Sequence, residues 1–250
     1  MTVFAVLVDP PRPGLVLPAL AAETPLSESA VADLYAAMVK DTFTAVERSG
    51  GELLINYRPD DLLPDDFQDG ESAEAEVRAM AAQALDDPDG PRYEVQVGSS
   101  VAARAGNTAT HLLREEDATS VAILDGTAPL VGRTHLDNAA MKLRTSEMVL
   151  GPAGGGRVYY LGLTEPIDFT DAYTPPALET LTDRGVAADM GIDFLPMVTT
   201  VEDGADLATV VSMLRARQAA GRQVPAFTTD VIDRLGLTVT VDADGRTVVR

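Results

Sequence analysis

The 250-residue chain contains no cysteine, which excludes a disulfide framework, thiolate-bound zinc, a thiol nucleophile and an iron–sulfur cluster. Histidine is nearly absent: only His111 and His135 occur. Neither has a second His at ligand spacing, so each reads as an ordinary surface or satisfied polar group, and any metal is expected to be a hard, oxygen-bound ion. Lysine is as scarce, with Lys40 and Lys142 alone and arginine supplying the other basic residues. A long apolar run is also missing. Thr2 to Val8 has no basic flank and stops at Asp9-Pro10-Pro11, too short for a signal segment or a membrane span. The expectation is a soluble, cytoplasmic protein with no membrane partner, and without repeats or a low-complexity linker it reads as a single domain.

What the chain has in excess is acid. Asp and Glu total 39 against 19 Lys and Arg, a formal charge of -20, and Asp outnumbers Glu 25 to 14. Such a charge repels nucleic acid and anionic membranes alike. A hydrophobic content of 46% argues against disorder. The carboxylate excess reads as adaptation to high salt: the screening length falls from about 8 Å at physiological ionic strength to about 3 Å at 1 M, where self-repulsion fades.

Apolar runs alternate with helical patterns, the rhythm of a mostly parallel sheet covered by helices. Val3–Val8 reads as a buried first strand, followed by a Pro-rich loop through Pro25. Ser27 caps a helix with Val31, Leu34, Tyr35, Met38, Thr42 and Ala45 on one face, ended by Gly50-Gly51. Strands are expected at Glu52–Tyr57, Tyr93–Val97, Ser120–Leu124, Glu147–Leu150, Val158–Leu163 and Asp193–Val198. Helices are expected from Ser72 to Leu85, from a Ser99 or Ser100 cap to Arg114, and from a Thr134 cap to Leu143. Further helices open at Thr174-Pro175, at the Asp203 cap and at Asp230, the last ending at Gly236. A hairpin, Leu237–Val241 with Arg246–Val249 around Asp244-Gly245, closes the chain.

Three features carry candidate chemistry. Asp125 stands directly after the central strand, where open α/β sheets gather ligand groups, and can hold Mg²⁺ against a nucleotide diphosphate. Glu202-Asp203 offers a second acid, although capping alone explains Asp203. The glycines of Gly151–Gly156 allow either close approach of backbone N–H groups to a phosphate or a tight connection; no Walker or dinucleotide signature follows them. Gly98-Ser99-Ser100-Val101-Ala102 only approximates a nucleophile elbow. Its last position is not Gly and no late His follows, so Ser100 reads as a helix cap.

The order of these motifs resembles the radical-SAM/selenodomain-associated transferase family, glycosyltransferase-like proteins of the GT-A fold related to nucleotidyltransferases. Gly151-Pro152-Ala153-Gly154-Gly155-Gly156-Arg157-Val158-Tyr159-Tyr160-Leu161-Gly162-Leu163 is similar to the family's G-P-A-x-D-G-G-Y-Y-L-L-G-L. Pro11–Gly14 is similar to its P-x-P-G loop, Gln96–Ala105 to its Q-x-G-x-D-L-G-E-R-M, and Val201–Leu207 to its V-D-T-P-E-D-L. Together these span roughly residues 3 to 215. The resemblance implies a Rossmann-like, three-layer α/β/α domain with a mixed sheet near seven strands over residues 1–222; the helix and hairpin at 223–250, whose tail lies outside the resemblance, read as a C-terminal extension of the same domain. It implies a nucleotide or nucleotide-sugar ligand at the C-terminal edge of the sheet. Arg12, Gly14, Gln96, Gly98, Arg104, Thr127, Gly154, Gly155 and Gly156 fall at its substrate-binding positions. Asp125, replacing the family's metal-ligand position from two residues upstream, and Glu202, at its second acid position, are the expected catalytic and metal-binding acids for Mg²⁺ or Mn²⁺ in a metal-assisted displacement, with Arg12 and Arg104 in place of its basic pair near the phosphates.

The departures fall on charge. The family's basic K-T-R-L becomes Leu17-Pro18-Ala19-Leu20, its metal-ligand Asp becomes Thr127, and the Asp and Glu of D-L-G-E-R-M become Ser100 and Ala103. The acid pair before the glycines becomes Gly154-Gly155. Diphosphate transfer is largely electrostatic stabilisation by cations, so two readings stand: a diverged glycosyl- or nucleotidyltransferase, and a catalytically inactive homologue kept for binding or assembly.

Overall fold

A computed structural model describes residues 1–242 and 245–249. In chain order it forms β1 (Thr2–Val8), α1 (Pro18–Glu23), α2 (Glu28–Glu47), β2 (Glu52–Tyr57), α3 (Ala73–Ala84), β3 (Arg92–Val95), α4 (Val101–Arg114) and β4 (Ser120–Asp125). There follow α5 (Arg133–Lys142), β5 (Met148–Pro152), β6 (Val158–Leu163), α6 (Ala177–Ala187), β7 (Ile192–Phe194), α7 (Gly204–Ala219), α8 (Ala226–Arg234), and the antiparallel pair β8 (Thr238–Asp242) and β9 (Gly245–Val249).

Seven strands make one mixed sheet in the order β3-β2-β1-β4-β6-β5-β7. β6 runs antiparallel to both its neighbours, while the other pairings are parallel. The central strands are apolar on both faces because helices cover both. Phe4, Val6 and Val8 of β1 pack with α2, α3, α5, α7 and α8; Val3 and Ala5 face the other way, toward α4 and α6. This alternation produces the three layers. The register sets Leu7 beside Asp125 and Val8 beside Tyr57, so β1, β2 and β4 end level. The residues that follow them share one edge.

The expected caps at Ser27, Ser100 and Asp203 are present, and Ser72 caps α3 in the same way, each side-chain oxygen accepting from a backbone N–H three residues on. Five expectations are corrected. The Pro-rich loop contains the short helix α1, opened by Pro18 at its first position. Gly132, not Thr134, precedes α5, and its N–H donates to His135 Nδ1 at 3.1 Å. The helix expected at Thr174-Pro175 begins only at Ala177, after Pro176. The strand expected to reach Val198 ends at Phe194. The last helix starts at Ala226, four residues early, because Asp41 of α2 accepts from the N–H groups of Phe227 and Thr228 at 3.1 and 2.7 Å. A carboxylate distant in sequence thus caps a helix whose own Pro225 cannot. Of the expected turn at Asp244-Gly245, Asp244 lies outside the described residues.

Candidate functional site

A cleft of about 560 Å³ opens over the level strand ends, within the size range of small-molecule sites. Its polar lining includes Asp9, Tyr35, Arg104, Asp125, Arg157 and Glu202. Two of these come directly from the sheet: Asp125 ends β4, and Asp9 follows β1 by one residue.

Asp125 is held rigidly. Its Oδ1 accepts from both the N–H and the hydroxyl of Thr127, each at 2.8 Å. Burial pushes its pKa above the usual carboxylate range, against the pull of these two hydrogen bonds and of Arg157. The same loop positions Glu202. The N–H of Val201 donates to the carbonyl of Thr127 at 2.9 Å, which draws the chain before α7 over β4. Glu202 is also raised by burial, opposed by Arg157 and reinforced by the charge of Asp125. Arg157 sits between the glycine turn and α7. Its Nε donates to the Gly154 carbonyl at 2.7 Å, and its terminal nitrogens grip both oxygens of Asp206 at 2.8 Å and reach Glu202 at 3.2 Å. Asp206 therefore neutralises Arg157, and the net charge at this end of the cleft remains that of Asp125 and Glu202.

The other end is built differently. Asp9 receives no hydrogen bond on its carboxylate among the described residues; its ion partner is Arg58, at 3.8 Å. Burial raises its pKa, against the charges of Arg58 and Arg104. Arg104, projecting from α4, is only 8% exposed, and its Nε has no partner among the described residues. Burial lowers its pKa, opposed by Asp9 and reinforced by Arg58. Tyr35 lies between the two ends, its oxygen accepting from the Asp9 N–H at 2.9 Å while the charges of both Asp9 and Asp125 add to the effect of burial in raising its pKa.

Of the residues the sequence nominated, the cleft brings together Asp125, Glu202, Gln96, Arg104, Thr127, Gly155 and Gly156. Gln96 is occupied, donating to the carbonyls of Asn56 and Val8 at 2.7 and 3.3 Å; it ties β1 to β2. Gly156 has φ +74, and a Cβ there would come within 2.8 Å of Pro176, so the turn at the rim requires glycine. Arg12, Gly14, Gly98 and Gly154 do not line the cleft. The expectation for Arg12 is corrected outright: its guanidinium is consumed by Asp60, Glu76 and the carbonyls of Phe67 and Glu71, so it pins the 60–76 loop instead of meeting phosphate. Gly14 turns beside Glu28 and Phe67, Gly98 adjoins the first turn of α4, and Gly154 supplies its carbonyl to Arg157. Ser100 is the α4 cap, His111 is exposed beside Glu116 at 3.2 Å, and His135 serves Gly132; no nucleophile triad forms from these residues.

Sequence reasoning missed Asp9, Tyr35 and Tyr173, which also line the cleft. The signal for Asp9 was available: it follows the first strand as Asp125 closes the central one. Two cleft carboxylates suit a hard divalent ion, which typically takes one or two acids and completes its shell with water and phosphate. Among the described residues no three His, Asp or Glu side chains gather closely enough to hold a metal unaided. No described helix is long and apolar enough to cross a membrane.

No protein-family model and no curated protein matches the sequence. Solved structures do. A protein from Desulfovibrio desulfuricans G20, assigned as a nucleotide-diphospho-sugar transferase, superposes with a TM-score of 0.72 at 18% identity, over 93% of this chain and 95% of its own. A 4-diphosphocytidyl-2C-methyl-D-erythritol synthase from Anaerococcus prevotii DSM 20548 matches at 0.50 and 13%, over 85% and 96%. A cytidylyltransferase from Leptospira borgpetersenii serovar Hardjo-bovis (strain JB197) matches at 0.50 and 10%, over 93% and 94%. With its seven-stranded mixed sheet between helical layers, the chain has the nucleotide-diphospho-sugar transferase fold.

Proposed function

We propose that the cleft binds a nucleotide or nucleotide-sugar at the C-terminal edge of the sheet, and that the chain is a diverged glycosyl- or nucleotidyltransferase of the kind its motifs resemble. One observation carries the reading: a net-acidic pair, Asp125 and Glu202, and an unpaired buried guanidinium, Arg104, face the same cleft. A polyphosphate carried in with a divalent ion satisfies the acids, and a polar group on the same molecule satisfies the guanidinium. The names of the structural neighbours, a nucleotide-diphospho-sugar transferase and a cytidylyltransferase, support a nucleotide as that molecule.

Asp125 and Glu202 are the residues that would hold Mg²⁺ or Mn²⁺, with the phosphates completing the shell. A bound divalent ion supplies charge neutralisation and polarisation at a phosphoryl oxygen. The chain's own part is preparatory. Thr127 fixes the orientation of Asp125, and the Val201–Thr127 hydrogen bond sets Glu202 over it. Arg157, clamped by Asp206, holds the glycine turn at the rim. The burial that raises Asp125 also lowers the dielectric around it, which strengthens its attraction for a cation, while Glu202, with its side chain 48% exposed, stays open to the cleft.

A second reading, a binding or assembly module without chemistry, is favoured by the engagement of Arg12 and Arg157 in internal ion pairs, which leaves few cations for a transferred group. The transferase reading requires nucleotide binding, which an assembly module does not; a module that does bind nucleotide is separated from a transferase by turnover. The test of binding is thermal unfolding in molar KCl with nucleoside diphosphates, with and without Mg²⁺. A ligand at a hundredfold excess over its Kd is expected to raise Tm by about 5 to 10 °C in a chain of this size. No shift with any nucleotide would overturn the reading.

A further inference from the structure

The charges of the cleft divide into two sets. Asp125 and Glu202 respond to Arg157, and Glu202 also to Asp206. Asp9 and Arg104 respond to each other and to Arg58. If the first set receives the polyanionic part of a nucleotide, as the proposed function holds, the base falls at the second, and Arg104, expected from the resemblance near the phosphates, meets the base instead.

That second end is chemically incomplete. Asp9 and Arg104 both line the cleft and influence one another, yet no ion pair or hydrogen bond joins them. Among the described residues, neither the Asp9 carboxylate nor the Arg104 guanidinium has a hydrogen-bond partner, and the buried Arg104 Nε is orphaned. The Asp9 side chain is 31% exposed and its carboxylate is open to a ligand from the cleft; the buried Arg104 Nε, left in this state, costs stability. The Nε2 of Gln96, which also lines the cleft, is already spent on two backbone carbonyls. The cleft lining also includes the apolar Leu15, Val16, Leu17 and Val101, suited to the faces of a flat ring.

We propose that this end of the cleft reads guanine, the Asp9 carboxylate accepting from the ring N1–H and the 2-amino group while the Arg104 guanidinium donates to O6. Guanine is the base whose edge sets one acceptor beside two donors. Adenine and cytosine reverse the order, aiming an amino group at the arginine and a ring-nitrogen lone pair at the carboxylate. Uracil keeps the first two features but presents a second carbonyl to the carboxylate. Each mismatch leaves a buried polar group unpaired or opposed. The preference for guanine is expected to be about 10-fold or more over uracil, and larger over adenine and cytosine.

The inference rests on the cleft taking a nucleotide, and the experiment separates the two claims. Dissociation constants are measured calorimetrically for GDP, UDP, CDP and ADP with Mg²⁺ in molar KCl, on the full chain and on Asp9→Asn, with circular dichroism of the variant. GDP is expected to bind most tightly in the native protein. Asp9→Asn, which replaces one accepting oxygen by a donating amide, is expected to flatten the preference without abolishing UDP binding. Equal affinities, a CDP or ADP preference, or a GDP preference that survives Asp9→Asn would overturn the guanine assignment and leave nucleotide binding standing. Absence of binding by all four would overturn both. The native panel alone decides the matter if the variant does not fold.

Discussion

At the residue scale, Asp125 is the clearest case of function set against stability. Its carboxylate is desolvated, its folded pKa lies above the usual range, and the neighbouring Glu202 adds repulsion. An acid with a raised folded pKa costs stability above that pKa; the cost fades as pH falls toward the unfolded value of about 3.9. Asp125→Asn keeps an oxygen to accept from Thr127 and removes the charge. It is expected to be more stable than the native protein at neutral pH by about 1 kcal/mol, the gain shrinking on acidification. Denaturant midpoints across a pH series check this; a variant less stable at neutral pH would contradict it. Not every residue role could be read this way from sequence. Arg12 sits in a Pro-Gly loop that reads as a ligand contact, but its four partners lie 48 to 64 residues downstream, and no local pattern announces them. Asp9 was legible by the same strand-end logic as Asp125.

At the scale of elements, the strands and the capped helices were legible because their signals are local: apolar runs of strand length, and serine or aspartate one residue before a helical period. The starts of α6 and α8 were not. Pro175-Pro176 delays α6, and α8 is capped by Asp41 from another helix, a tertiary contact invisible to local reading. α4 links this scale to the site. Gly98 has φ +131, and a Cβ there would meet the Cβ of Ala103 at 2.8 Å and the N of Arg104 at 3.1 Å. Gly98→Ala is therefore expected to cost about 1 to 3 kcal/mol. It should weaken nucleotide binding too, by shifting the turn that carries Arg104. Unchanged denaturant midpoint and affinity would show that α4 is not held by this contact.

For the whole molecule, the charge of -20 reaches beyond the site. Of the many acids, few line the cleft; most lie on the surface, where they repel one another across distances that molar salt screens and dilute buffer does not. Tm is expected to rise steadily with KCl from dilute buffer to the molar range, and a flat profile would remove salt adaptation from the account. The overall fold was legible because it depends on the alternation of buried strands and amphipathic helices. The content of the cleft was less so, since the resemblance that locates it departs at the charged positions that would name its chemistry. The central claim, a nucleotide site completed by Asp125, is tested most directly by calorimetric titration of GDP with Mg²⁺ into the native protein and Asp125→Asn in molar KCl. Saturable binding by the native chain, weakened at least about tenfold in the variant, is the predicted result; no saturable heat, or equal affinity in the two proteins, would contradict it.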